Sequence, residues 1–171
     1  CSLDLVTTDA TLNISQVITV GAWHHIVVAY NDDADDEITV YVDGKSRGSS
    51  TNGVGGPATG DASNLLIGGT TTDNFDGRID EFKVYSAELS STDVLIDKNA
   101  NSAVDFNSKE RDVDDLTGGA GNPPVLEWNF DENTGSTAKD ISGNTNDGTI
   151  LNATFTQGKV GSALRFTTTV A

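Results

Sequence analysis

The 171-residue sequence predicts an all-β fold, an antiparallel two-sheet β-sandwich with one short helix near residues 90–98. Three observations carry this prediction. Apolar residues recur at a period of two in short runs bounded by turn residues, as in Ile38-Thr39-Val40-Tyr41-Val42. A hydrophobic content of 36% with 18 glycines suits short strands joined by many turns better than buried helices. The runs add up to roughly ten or eleven strands, enough for two packed sheets in a chain of about one domain.

Taken in order, Leu3 and Leu5, then Thr11, Leu12 and Ile14, outline two short strands around an Asp9-Ala10 turn, with Val17, Ile18 and Val20 following. The organising stretch runs from Gly21 to Gly44. Its two apolar runs, Trp23 to Tyr30 and Ile38 to Val42, are joined by Asp32-Asp33-Ala34-Asp35-Asp36, which belongs in water, and Asp43-Gly44 closes it. From Lys45 to Ser63 the chain is loaded with Gly, Ser and Thr and contains Pro57, without periodicity, and reads as a long surface loop. Leu65 to Gly68 reads as a short buried strand, followed by a turn at Thr70 to Asn74. In Phe75 to Tyr85 the alternation slips by one residue near Asp80-Glu81, the signature of a bulge.

Ser90 is placed to cap a helix, with Asp93 three residues on to return the bond and with Val94 and Leu95 as its apolar side. That helix ends near Lys98 or Asn99. Ala100 to Pro124, acidic and then rich in glycine, has the composition of a linker. Val125 to Phe130 is a strand with Leu126, Trp128 and Phe130 on one face. Asp131 to Asp147 is a polar loop, and Thr149 to Thr156 and Ala163 to Val170 are the last strands, around a turn at Gln157 to Gly161.

These residues also carry a resemblance. Trp-His-His-Ile-Val-Val-Ala-Tyr at 23–30, Val-Tyr-Val-Asp-Gly at 40–44, Leu-Leu-Ile-Gly-Gly at 65–69, Phe-Asp-Gly-Arg-Ile-Asp-Glu-Phe-Lys-Val-Tyr at 75–85 and Glu88-Leu89-Ser90 resemble the C-terminal half of a laminin-G-like domain of the concanavalin A-like jelly-roll superfamily. Residues 128–132, 140–149 and 158–166 resemble the N-terminal half of the same family. The resemblance implies a jelly-roll sandwich with its halves in reverse order: 1–98 the C-terminal-type half, 99–124 a linker, 125–171 the N-terminal-type half. In a jelly roll the first and last strands are usually neighbours, so a circularly permuted single domain keeps the same contacts. The competing reading is a slice through a tandem array, whose exposed apolar faces a second chain would have to complete.

Ten basic against 26 acidic residues give a net charge of −16, which repels nucleic acid and anionic membranes and accommodates divalent cations or neutral sugars. No apolar run is long enough for a membrane span. The single cysteine, Cys1, excludes an internal disulfide framework. Followed by Ser2, it would suit the lipid-modified first residue of a bacterial lipoprotein; the alternative is a fragment boundary.

Catalysis is not expected. Sugar hydrolases of the superfamily carry Glu-x-Asp-x-x-Glu or Glu-x-Asp-x-Glu on one strand, and the nearest match, Glu110-Arg111-Asp112-Val113-Asp114, lies in the linker and lacks the final Glu. There is no Gly-x-Ser-x-Gly turn. His24 and His25 are adjacent on a strand and point to opposite faces, so they are read as structural rather than as ligands of one ion. Trp23 and Trp128 could stack on sugar rings but fall in core patterns.

A structural calcium is the metal the sequence can accommodate. Asp140, Asn144, Asn146 and Asp147 lie within one Gly-containing loop and offer hard oxygens. The family resemblance points the same way, with Asp80 or Asp76 reaching in from the neighbouring strand; the alternative is that Asp-x-Ser-Gly-Asn is turn chemistry. The acid-rich run from Asp32 to Glu37 is read as a solvated hairpin tip. The expected function is a non-catalytic extracellular or cell-surface recognition module that binds a glycan or a protein partner through rim loops. A self-associating structural or adhesion subunit and a glycoside hydrolase accessory domain are the alternatives.

Overall fold

The computed structural model describes residues 2–6, 11–15, 17–31, 37–51, 65–69, 75–99 and 123–167. The expected turns at 9–10 and 70–74, the acidic tip at 32–36, most of the 45–63 loop and the body of the linker lie outside them. Strands β1 (Ser2–Val6) and β2 (Thr11–Ser15) pair antiparallel, with Ser2 opposite Ser15 and Val6 opposite Thr11. Strands β3 (Ile26–Tyr30), β4 (Ile38–Val42) and β5 (Lys45–Ser50) form an antiparallel sheet in the order β3-β4-β5.

Strand β5 corrects the reading of residues 45–63 as a loop from its start. Asp43 and Gly44 both adopt positive φ, 55° and 77°, and Val42 pairs directly with Lys45. A two-residue connection with both residues left-handed is the turn that matches the twist of a hairpin, so the chain must return along β4 whatever its composition. The period-two pattern of β4 buries Ile38, Val40 and Val42, and Ile14 of β2 packs on Ile38 and Val40.

The helix α1 (Ser91–Asn99) begins as expected. The Ser90 amide and hydroxyl both donate to Asp93 Oδ2, at 2.9 and 2.6 Å, and the Asp93 amide donates back to Ser90 Oγ at 3.3 Å. Val94 is fully buried. Leu95 lies over Gly44, where a Cβ would come within 2.7 Å of its Cδ2.

The stretch 75–85 splits where the slip was expected. Strands β6 (Gly77–Ile79) and β7 (Phe82–Val84) flank Asp80-Glu81, with Glu81 at φ 52°. The break changes partners. Of the later strands, β8 is Leu126–Trp128, β9 Thr137–Ala138, β10 Gly148–Thr149, β11 Ala153–Gln157 and β12 Ser162–Phe166. Strand β6 joins a sheet in the order β11-β12-β6, β7 pairs with β8, and β10 pairs with β9.

Three expectations shift in this region. The 131–147 loop contains β9; the run from Thr149 to Thr156 is interrupted at Asn152, φ 54°; and 65–67 is not a buried strand, because Leu65 and Leu66 are 56% and 68% exposed. Gly68 and Gly69, both at positive φ, end that segment, and the Phe166 ring occupies the space beside Gly68. Phe130, Ala138 and Leu164 form a core, with Phe82, Trp128 and Phe155 packed against it.

The chain resolves into two compact units, Cys1–Asp61 with Ala87–Gly121, and Ala62–Ser86 with Asn122–Ala171. The division does not follow the boundary between the two family-like halves. Strands β6 and β7, from the C-terminal-type half, are built into the same unit as β8 to β12. Among the described residues, no helix is long and apolar enough to cross a membrane.

Candidate functional site

The polar loop after β8 gathers four of the five residues expected to hold a metal. Asp140 Oδ1 accepts from the amides of Glu127 and Ser142, at 3.0 and 2.9 Å, and Oδ2 from the amide of Asn146 at 2.9 Å. Asp147 Oδ1 accepts from the Asp140 amide at 2.9 Å, and Oδ2 pairs with Lys139 Nζ. Three side chains converge on the carbonyl of Val125: Ser142 Oγ at 3.2 Å, Asn144 Nδ2 at 3.2 Å and Asn146 Nδ2 at 2.8 Å. The Trp128 indole donates to the Asn146 carbonyl at 3.0 Å, and Trp128 packs between Phe82 and Phe130, the core placement its pattern implied.

Desolvation opposes ionisation of Asp140, but hydrogen bonds from the Ser142 hydroxyl and from the Asn146, Glu127 and Ser142 amides outweigh it and hold the carboxyl well below the usual range. Asp147 is held low by Lys139 and by the Asp140 amide. These carboxylates are ionised acceptors closing a turn.

The fit to calcium is poor. Calcium takes about six to eight oxygen ligands, whereas Asn144 and Asn146 turn their amide nitrogens inward on Val125 and Asp140 gives both oxygens to the backbone. Asp80 is engaged at a different turn, where its Oδ2 accepts from the amides of Lys159 and Val160 at 2.7 and 3.1 Å. Asp76 pairs with Arg165 at 3.0 Å. Among the described residues, no three His, Cys, Asp or Glu side chains form a metal-holding group.

Around Asp80 the unit concentrates negative charge. Burial raises the Asp80 carboxyl, with the nearby Asp131 adding to the shift against three backbone amides, and Asp80 Oδ1 is buried without a partner. Burial also raises Glu81, reinforced by the charge on Asp80. Asp131 Oδ1 accepts from the Ser162 amide at 2.7 Å, and Gly161, φ 53°, leaves it room: a Cβ there would lie 2.0 Å from that oxygen.

The two histidines form an arrangement that sequence reasoning called structural without finding its partners. The Thr19 amide donates to His24 Nε2 at 2.9 Å, so Nδ1 carries the proton and donates to Asp43 Oδ2 at 2.8 Å. Asp43 Oδ1 takes the His25 amide at 3.1 Å, and His25 Nε2 pairs with Asp97 of α1 at 3.0 Å. One imidazole therefore ties the hairpin corner and the other ties the helix. The signal for the first was the Asp43-Gly44 turn; for the second, 72 residues apart, there was none.

A family model described as Concanavalin A-like lectin/glucanases superfamily, Laminin_G_3, matches residues 4–95, more than half of the chain. No curated protein and no solved structure matches it.

Proposed function

The chain belongs to the Laminin_G_3 family of the concanavalin A-like lectin/glucanase superfamily, and from that premise we propose that it is a non-catalytic recognition module. It binds carbohydrate or a protein partner, through rim loops and in an extracellular or cell-surface setting. Family membership is the observation that carries this reading. The loop from Asp131 to Asp147 adds to it: recognition needs loops fixed by a scaffold, and this one is clamped to β8 through Val125, Glu127 and Trp128. Its carboxylates serve backbone amides, as in a structural turn, rather than facing one another as an acid and base pair would.

The pairing of β6 with β12 and of β7 with β8 supports a permuted sandwich closed within one chain. Screening the labelled protein on a glycan array, followed by calorimetric titration of the hits, tests the binding reading. Saturable binding of one glycan class is expected of a lectin. Absence of any hit, together with a mass that grows with concentration in light scattering, would overturn it in favour of a structural subunit assembled from exchanged halves.

A further inference from the structure

The corner between β10 and β11 carries the triplet Asn152-Ala153-Thr154, an asparagine followed two residues on by a hydroxyl, with no proline between. Such a triplet is the acceptor pattern for an N-linked oligosaccharide, which is bulky and needs a surface position. The fold supplies that position. Asn152 is exposed and stands at φ 54°, in the left-handed corner that interrupts the run from Thr149 to Thr156. Ala153 opens β11 and packs on the core of Phe130, Ala138 and Leu164, which turns the next side chain outward, and Thr154 is exposed. The acceptor amide and the hydroxyl that marks it are therefore both open to solvent, while the residue between them anchors the triplet.

The chain holds one other triplet of this kind, Asn13-Ile14-Ser15. It lies within β2, with Asn13 opposite Asp4 in the ladder and Ile14 only 4% exposed. The corner triplet also has an apolar neighbour without cover, Leu151, which is 72% exposed. A neutral oligosaccharide on Asn152 would stand beside that side chain and shield it, at no change in charge.

We propose that Asn152 is an N-glycosylation site, the acceptor of an oligosaccharide carried on a lipid-linked diphosphate. The anomeric carbon of the donor's first sugar loses its bond to the diphosphate oxygen and gains one to Asn152 Nδ2. The diphosphate leaves with the electron pair, the amide gives up one proton to solvent, and nothing is oxidised or reduced. The proposal rests on the extracellular or cell-surface setting of the recognition module.

The test expresses the full chain behind a secretory leader in a mammalian cell line, with a further Asn-Ala-Thr in an appended tail to report entry into the secretory route. Intact masses and peptide maps are read before and after peptide N-glycosidase, which leaves aspartate where a glycan was held. Oligosaccharide on Asn152 as well as on the tail is expected. Thr154→Ala should lose the one on Asn152 and Thr154→Ser should keep it. Both leave the left-handed residue itself untouched and replace an exposed side chain, so the melting temperature of the deglycosylated protein should be retained.

A chain modified on its tail but not at Asn152 would overturn the proposal, as would modification of Asn13 in its place or a glycan on Asn152 that survives Thr154→Ala. None of these results touches glycan recognition, which the array reads on unmodified protein.

Discussion

Replacing Asp43 by alanine is expected to destabilise the unit that holds it by about 3 kcal/mol. Its carboxylate accepts from His24 Nδ1 and from the His25 amide. A hydrogen bond to a charged group contributes about 1.5–3 kcal/mol when buried. The Asp43 side chain is 39% exposed, so about 1 kcal/mol for each bond is the appropriate figure. Alanine at φ 55° adds roughly another 1 kcal/mol, because Asp tolerates the left-handed region and alanine does not. At about 2–4 °C per kcal/mol for a chain of this length, the midpoint should fall by roughly 6–12 °C.

Asp43→Asn separates these contributions. It keeps an acceptor for the His25 amide and the tolerance for positive φ, but turns a donor toward His24, so it should cost about 1 kcal/mol. Thermal and urea unfolding at neutral pH measure both variants. A cost below about 1 kcal/mol for Asp43→Ala, or equal costs for the two, would refute the clamp. Burial works against ionisation of Asp43, but the His24 and His25 bonds prevail and lower its pKa. Its contribution is therefore present above the unfolded value, near 3.8, and is lost as the pH falls through the lower folded one.

Asp80 and Glu81 have the opposite sign. Burial raises both, so each contributes stability that is fully present below its ordinary value, 3.8 for Asp80 and 4.5 for Glu81, and that is lost as the pH rises through the higher folded one; Asp80→Asn with Glu81→Gln should remove this contribution in a pH series of melting curves. A chelator such as EDTA should leave the melting temperature unchanged, because backbone amides and Lys139 already satisfy the carboxylates of the 140–147 loop; a drop of several degrees would restore the calcium. Gly161→Ala should cost about 2–4 kcal/mol in urea unfolding, since the added carbon meets Asp131 Oδ1 at a positive φ. Raising sodium chloride from low to molar concentration should raise the melting temperature by screening the charge of −16.

Where local chemistry decides the structure, the sequence was sufficient. The Ser90 and Asp93 cap, the break at Asp80-Glu81, the burial of Phe130 and the packing of Trp128 against it each follow from a few neighbouring residues. Strand β5 was missed because Lys45 to Ser50 has no apolar period; its conformation is imposed by the turn before it and by pairing with β4. The loop around Asp140 was legible as a place but not as a chemistry. Asp, Asn and Gly serve a calcium shell and an Asx turn equally well, and only the direction of the Asn144 and Asn146 amides toward Val125 separates the two. The bond from His25 to Asp97 depends on how a distant helix packs and has no local trace.

The corner at Asp80-Glu81 also bears on how such a gene can change. Strand β6 is registered on β12 through Ile79 opposite Leu164, and β7 on β8 through Phe82 opposite Trp128, with only two residues between. Inserting or deleting one residue there would turn every side chain of one ladder to its other face. This corner should therefore accept no change of length over evolutionary time, and a one-codon insertion library across the gene should show its sharpest loss of folded product at residues 79–82.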